Sequence, residues 1–206
     1  MMVPMLATPR DSARRTRSVR GLALLLTVAA LWLTTGSGCD DDTPEPDGPE
    51  VESVPLELTL GAASADLAPD VSDQFQNDVT ETLSGYVVSA FLGDYPRTDF
   101  VQALDWFTSD GAEVAAPDLD YLTGKSFEDA ESVVATNLQA RLAPFAPGQQ
   151  PAGVSAAVEF SFDITESGDT SSVTLTGRLM MVPEADGWRI FGFRVRRSDL
   201  PGEATS

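Results

Sequence analysis

Val154–Thr165, VSAAVEFSFDIT, is the stretch on which the fold turns. Val154, Ala156, Val158, Phe160, Phe162 and Ile164 fall on one side of a two-residue period. Ser155, Ala157, Glu159, Ser161, Asp163 and Thr165 fall on the other. That alternation predicts an extended strand with one face in a core and the other in water, the pattern of antiparallel sheets. Working outward, Val173, Leu175, Gly177, Leu179 and Met181 keep the same period against Thr174, Thr176 and Arg178. On the other side, Val134, Thr136, Leu138, Ala140 and Leu142 alternate with Ala135, Asn137, Gln139 and Arg141, and Trp188–Arg197 supplies a last strand. The breaks at Pro147–Pro151, Glu166–Asp169 and Glu184–Gly187 are short and turn-rich, so the strands join as hairpins. The prediction is an antiparallel meander of four or more strands.

Upstream the period lengthens. Val71, Phe75, Val79, Leu83, Tyr86, Val87, Ala90 and Phe91 recur every three or four residues, which predicts a long amphipathic helix. Asp70 is placed to cap it, Asp73 and Asp78 suit its positive end, and Gly93 with Pro96 stops it. A shorter helix after Thr98 or Asp99 would bury Phe100, Leu104 and Phe107. Further turns are expected at Ala112–Ala116, Leu119–Leu122 and Ser126–Ala130, with Pro117 between the first two. Val54–Leu60 alternates as a short edge strand, where Pro55 is tolerated. The fold class is therefore α+β, a long helix and short ones packed on the apolar face of the meander. The folded domain is expected at 54–200, with 201–206 a disordered tail.

Charge divides the 206-residue chain unevenly. Residues 1–38 hold five arginines against Asp11 alone, whereas from Cys39 onward there are eight bases and 31 acids. So acidic a chain repels phosphate backbones, and nucleic acid is not an expected partner. The arginines run into Gly21–Leu33, GLALLLTVAALWL, and then into small residues, the pattern of an export signal over 1–38. The apolar run is too short to cross a bilayer: its helix would reach about 20 Å. Gly36-Ser37-Gly38-Cys39 resembles the lipobox of bacterial lipoproteins, and Cys39 is the chain's one cysteine. The resemblance implies diacylation of the Cys39 sulfur, cleavage before it, and attachment to the extracytoplasmic face of a cell membrane. Asp40–Glu52, DDDTPEPDGPEVE, carries seven acids and three prolines and cannot bury enough apolar surface to fold. Residues 39–53 are expected to form a lipidated Cys followed by a disordered, stretched tether.

The helix order, the Tyr95–Phe100 stretch YPRTDF and the ending Asp186-Gly187-Trp188-Arg189-Ile190-Phe191-Gly192-Phe193 resemble the nuclear transport factor 2-like superfamily. That resemblance implies a curved sheet wrapped around the long helix as a cone. It does not choose a function, since the superfamily includes isomerases, lyases and non-catalytic binding domains.

Catalytic chemistry is sparse. With no histidine, a histidine triad or zinc site is excluded. Asp105 beside Trp106 falls off the 100/104/107 stripe and should meet solvent. Tyr86 and Tyr121 read as core-edge residues, and no Ser stands in a nucleophile elbow. Asp118, Asp120, Asp163 and Asp169 lack the spacing of a calcium loop and read as helix caps and a hairpin tip. No catalytic residue, metal or cofactor is assigned. Two sets of binding residues follow. Phe91, Trp106, Phe160 and Phe162 would line an apolar pocket in the cone. Arg178, Trp188, Arg194 and Arg196 would form an interface, because the parity of the last strand puts apolar residues on both its faces. Cross-strand pairing of these arginines with Glu159 and Asp163 is the plainer expectation. The function expected is a non-catalytic, membrane-anchored lipoprotein whose domain binds an envelope protein or itself as a homodimer. The alternative is a small apolar-ligand binder with weak isomerase or lyase activity.

Overall fold

A computed structural model describes residues 54–61 and 67–206. The export signal, Cys39 and the acidic tether lie outside the described residues. The described residues belong to one compact unit. Within it the two-residue period becomes β2 (Ser132–Phe145), β3 (Gly153–Glu166), β4 (Asp169–Glu184) and β5 (Gly187–Arg197), each antiparallel to the next. Ser167 and Gly168, both at positive φ, close the β3–β4 hairpin in two residues, with Glu166 opposite Asp169. All six apolar residues expected on the core face of β3 are buried.

Two further strands make the sheet six-stranded and mixed, in the order β1-β2-β3-β4-β5-β6. β1 (Glu57–Leu60) follows Pro55 and pairs parallel to β2. β6 (Ala204–Thr205) pairs antiparallel with β5, and Ser206 both donates its N–H to the Phe193 carbonyl and accepts the Phe193 N–H on Oγ. The last residues are thus held against the sheet rather than free as a tail. A two-residue strand carries no periodicity, and the unpaired edge of β5 is what recruits it.

Helix α1 (Pro69–Phe91) buries Phe75, Val79, Leu83, Tyr86, Val87, Ala90 and Phe91. Its cap differs from expectation: Ala68 is the N-cap, Pro69 opens the helix and Asp70 stands in the first turn. At the other end Arg97 donates to the carbonyls of Ser89 and Leu92, satisfying groups that the helix leaves unpaired. The same guanidinium bonds Asp99, which holds that carboxyl below its ordinary range. The short helix expected after Thr98 or Asp99 is Phe100–Trp106, a 3-10 helix with Asp99 at its N-cap. Three residues per turn bring Phe100 and Ala103 to the core together, while Leu104 is only half-buried and Asp105 is exposed. Short helices α2 (Ser109–Ala115) and α3 (Leu119–Leu122) continue to β2, and Thr108 caps α2 by accepting the Gly111 N–H.

Two bulges alter which residues face the core. The β2–β3 register shifts between Ala135 and Asn137, leaving exposed Thr136 unmatched. Val133 and Ala135 therefore face the core, where the sequence alternation had placed Val134 and Thr136. In β5 the register passes from Met180 opposite Gly192 to Met181 opposite Ile190, leaving Phe191 as the extra residue. Trp188, Ile190, Phe193 and Val195 are consequently all buried on one face. The expectation that Trp188 shares a face with Arg194 and Arg196 is corrected by that single inserted residue.

Candidate functional site

The residues expected to line a pocket are placed differently from one another. Phe91, Phe160 and Phe162 are buried completely, and the Phe91 and Phe162 rings stack with centroids 4.5 Å apart. Those two rings fill each other's space, so Phe91 and Phe162 leave no room between them for a ligand. Trp106 is half-buried on the far side of α1, where its ring covers Gly85 and its indole N–H donates to Ser89 Oγ at 3.1 Å. It does not join the other three as one wall.

The phenols are likewise committed to structure. Tyr86 donates to the Leu122 carbonyl at 2.6 Å, and burial pushes its pKa well above the ordinary phenol range. Tyr121 donates to the Pro201 carbonyl, tying α3 to the chain's last turn. A depression of about 360 Å³ lies where Val54, Leu92–Tyr95 and Glu131–Ala135 meet. Its one phenol, Tyr95, donates to Phe91 O at 2.9 Å, and burial raises its pKa to about 12. That phenol is therefore no base at neutral pH.

The basic residues of the last two strands separate into inward and outward groups. Arg197 turns in and is almost fully buried. It donates to the carbonyls of Asp120 and Thr123, to Ser126 Oγ and to Asp199, and lies over the Phe127 ring at 5.1 Å. Arg189 is held sideways by Asp186 at 2.7 Å. Trp188, from the expected interface set, is 4 % exposed and packs edge-on against Phe75 at 5.3 Å. It belongs to the core.

Arg178, Arg194 and Arg196 do share a surface, the outer face of the sheet. The register aligns Thr59, Arg141, Ala157, Arg178, Arg194 and Thr205 in one row across all six strands. The adjacent row reads Glu57, Gln139, Glu159, Thr176 and Arg196. Arg178 and Arg194 stand directly opposite one another, an unfavourable like-charge pair. Arg194 is answered by Glu203 at 2.8 Å. Among the described residues no carboxylate lies within ion-pair distance of Arg141, Arg178 or Arg196. The expected cross-strand pairs with Glu159 and Asp163 do not form. Asp163 instead accepts from Ser172 Oγ at 2.6 Å.

Arg141 is the member of this surface that sequence reasoning missed. Its place opposite the apolar residues of β2 was readable, but nothing in one strand says that it meets Arg178 two strands away. Beside it the sheet is hollowed into a groove of about 380 Å³, lined by Glu57, Thr59, Gln139, Arg141, Ala157 and Glu159. A polar, arginine-bearing sheet face with a groove at one side can bind an acidic surface or peptide. It brings together no acid–base pair or nucleophile. Comparison with protein-family models, with curated proteins and with solved structures finds no match to this chain.

Proposed function

We propose that this chain is an extracytoplasmic lipoprotein, anchored to a cell membrane through Cys39, whose α+β domain binds a protein partner through the outer face of its sheet. The observation that carries the reading is the set of outward arginines, Arg141, Arg178 and Arg196, with no carboxylate partner among the described residues of an otherwise acidic domain. The lipobox-like Gly36–Cys39 supports the anchor, and the 3.6-then-2 order of periods supports a nuclear transport factor 2-like cone as the scaffold. The role proposed is non-catalytic. The stacked Phe91–Phe162 pair speaks against the cone as a ligand pocket.

Two measurements test the two halves separately. Mass spectrometry of the chain extracted from membranes should find an N-terminal Cys39 bearing a diacylglycerol; a free thiol there removes the anchor. A photo-crosslinking residue at Thr176, on the outer face, should yield a protein-sized adduct in intact cells, while the same residue at Glu113 on α2 should not. Equal adducts at both sites, or none at Thr176, remove the binding face.

A further inference from the structure

β2 is longer than the strand beside it. Of its fourteen residues only Gln139–Leu142 pair with β1, which begins at Glu57. Nearer the start of β2, Ser132–Ala135 pairs with β3 on one side and has no strand on the other among the described residues. The bulge at Thr136 ends this regular run, so the open edge is about 13 Å long. Such an edge presents alternate N–H and C=O groups that an incoming backbone can pair.

The depression of about 360 Å³ lies along the same edge and falls in the size range of clefts that hold ligands. Leu92, Tyr95, Val133 and Ala135 give it an apolar wall, and the exposed Asp94 and Glu131 add two carboxylates. No base is among the described residues that line it. Arg97, two residues after Tyr95, is instead bonded to the carbonyls of Ser89 and Leu92 and to Asp99.

We propose that the open edge of β2 takes an extended, basic segment of a partner protein as an added strand, with one apolar side chain seated in the depression and lysine or arginine beside Asp94 and Glu131. Backbone pairing over four residues is short, so the apolar seat adds affinity and the carboxylates select the charge. The domain's surplus of acids steers a basic segment toward it. A second copy is the other natural occupant of an open edge. Pairing β2 with β2 across a two-fold would bring Asp94 and Glu131 of both copies to one seam, and like charges oppose that. Arg141, Arg178 and Arg196 project from the outer face of the sheet, so binding at the edge does not depend on the contact proposed above.

The test uses the unlipidated chain from residue 39 to Ser206 with Cys39→Ser, which contains every described residue of the compact unit. The probe is the acetylated and amidated peptide Lys-Val-Lys-Phe-Lys-Val-Lys, whose extended form puts apolar side chains on one side and lysines on the other. Binding should shift the amide signals of Ser132–Ala135 and slow exchange of those that point outward. The double variant Asp94→Asn/Glu131→Gln should weaken it by about threefold or more, as two exposed ion pairs allow. The same peptide with Glu in place of Lys should not bind. Methylating the backbone nitrogens of alternate peptide residues blocks one edge of the peptide. One of the two methylation patterns should weaken binding by about tenfold and the other should not, since a single edge meets β2. Binding that ignores both patterns, that the double variant leaves unchanged, or that shifts only amides before Val54 overturns the proposal. So does a chain that dimerises through Ser132–Ala135 without peptide, which would make a second copy the occupant. None of these outcomes touches the outer arginines, so failure here leaves the binding face to its own crosslinking test.

Discussion

Arg197 shows what burial does to a charge in this protein. Its guanidinium lies over the Phe127 ring and donates to the carbonyls of Asp120 and Thr123, the hydroxyl of Ser126 and both carboxylate oxygens of Asp199, so each of its nitrogens is paired. Replacing it with Met keeps most of the volume but leaves two carbonyls and a carboxylate without donors. Arg197→Met should therefore cost about 3 kcal/mol in urea unfolding. An unchanged midpoint would show that water replaces the guanidinium. The outward Arg178 lacks such partners, and Arg178→Met should leave the midpoint within about 0.5 kcal/mol. Tyrosine titration gives a second residue-scale prediction. Burial raises Tyr95 from 10.0 to about 12 and pushes Tyr86 further in the same direction. The folded chain then holds protons that the unfolded chain has released. Stability is full below pH 10 and falls as the pH climbs from there through about 12. Urea midpoints stepped upward from about pH 9 should decline across that window, and a flat profile would mean that both phenols are more solvated than their hydrogen bonds imply.

At the scale of elements, α1 and the 3-10 helix Phe100–Trp106 meet at Gly85. A Cβ there would overlap the Trp106 ring, so the glycine is what allows the indole to lie flat on the helix and reach Ser89. Gly85→Ala should expel the indole, cost about 1–3 kcal/mol despite better helix propensity, and shift tryptophan emission to the red. Unshifted emission would mean that the 3-10 helix moves as a unit instead. The same segment shows which parts of the fold the sequence makes legible. The burial of Phe100 and Phe107 follows from their being large and apolar. The 3-10 geometry buries Ala103 and leaves Leu104 half-buried, a shift of one residue that the apolar spacing of the segment does not reveal. β3 is readable residue by residue because it carries no inserted residue itself: the bulge in its ladder with β2 lies on β2, at Thr136. β2 and β5 each carry a bulge, and a bulge is a property of two strands together. No alternation within one strand reveals that Thr136 or Phe191 is the inserted residue. The candidate surface was legible to the same degree. Arg178, Arg194 and Arg196 follow from parity on β4 and on the far half of β5, whereas Trp188 falls on the other side of the Phe191 bulge and reads wrongly.

For the whole molecule, the balance of charge outweighs any single pair. From Val54 onward the sequence has 24 acids and eight bases. Most of the ion pairs it forms have an exposed member: Asp99, Asp120, Asp186 and Arg194 each keep half or more of their side-chain surface in water. Exposed pairs contribute about 0–1 kcal/mol each, and salt weakens them. Self-repulsion among the surplus carboxylates opposes the compact state, and salt weakens that as well. The two effects have opposite sign, and the surplus decides between them: sixteen carboxylates have no base to offset them, against four exposed pairs among the described residues that salt can loosen. Raising sodium chloride from about 20 mM to about 0.5 M shortens the screening length from roughly 20 Å to roughly 4 Å, below the spacing of most surface charges. The thermal midpoint should therefore rise with salt, by a few degrees for a domain of this size. Potassium chloride should act as sodium chloride does, since the effect is one of ionic strength. A midpoint that falls with salt would mean that the arginines, on the sheet face and around Asp199, contribute more to the folded state than the excess of acids takes away.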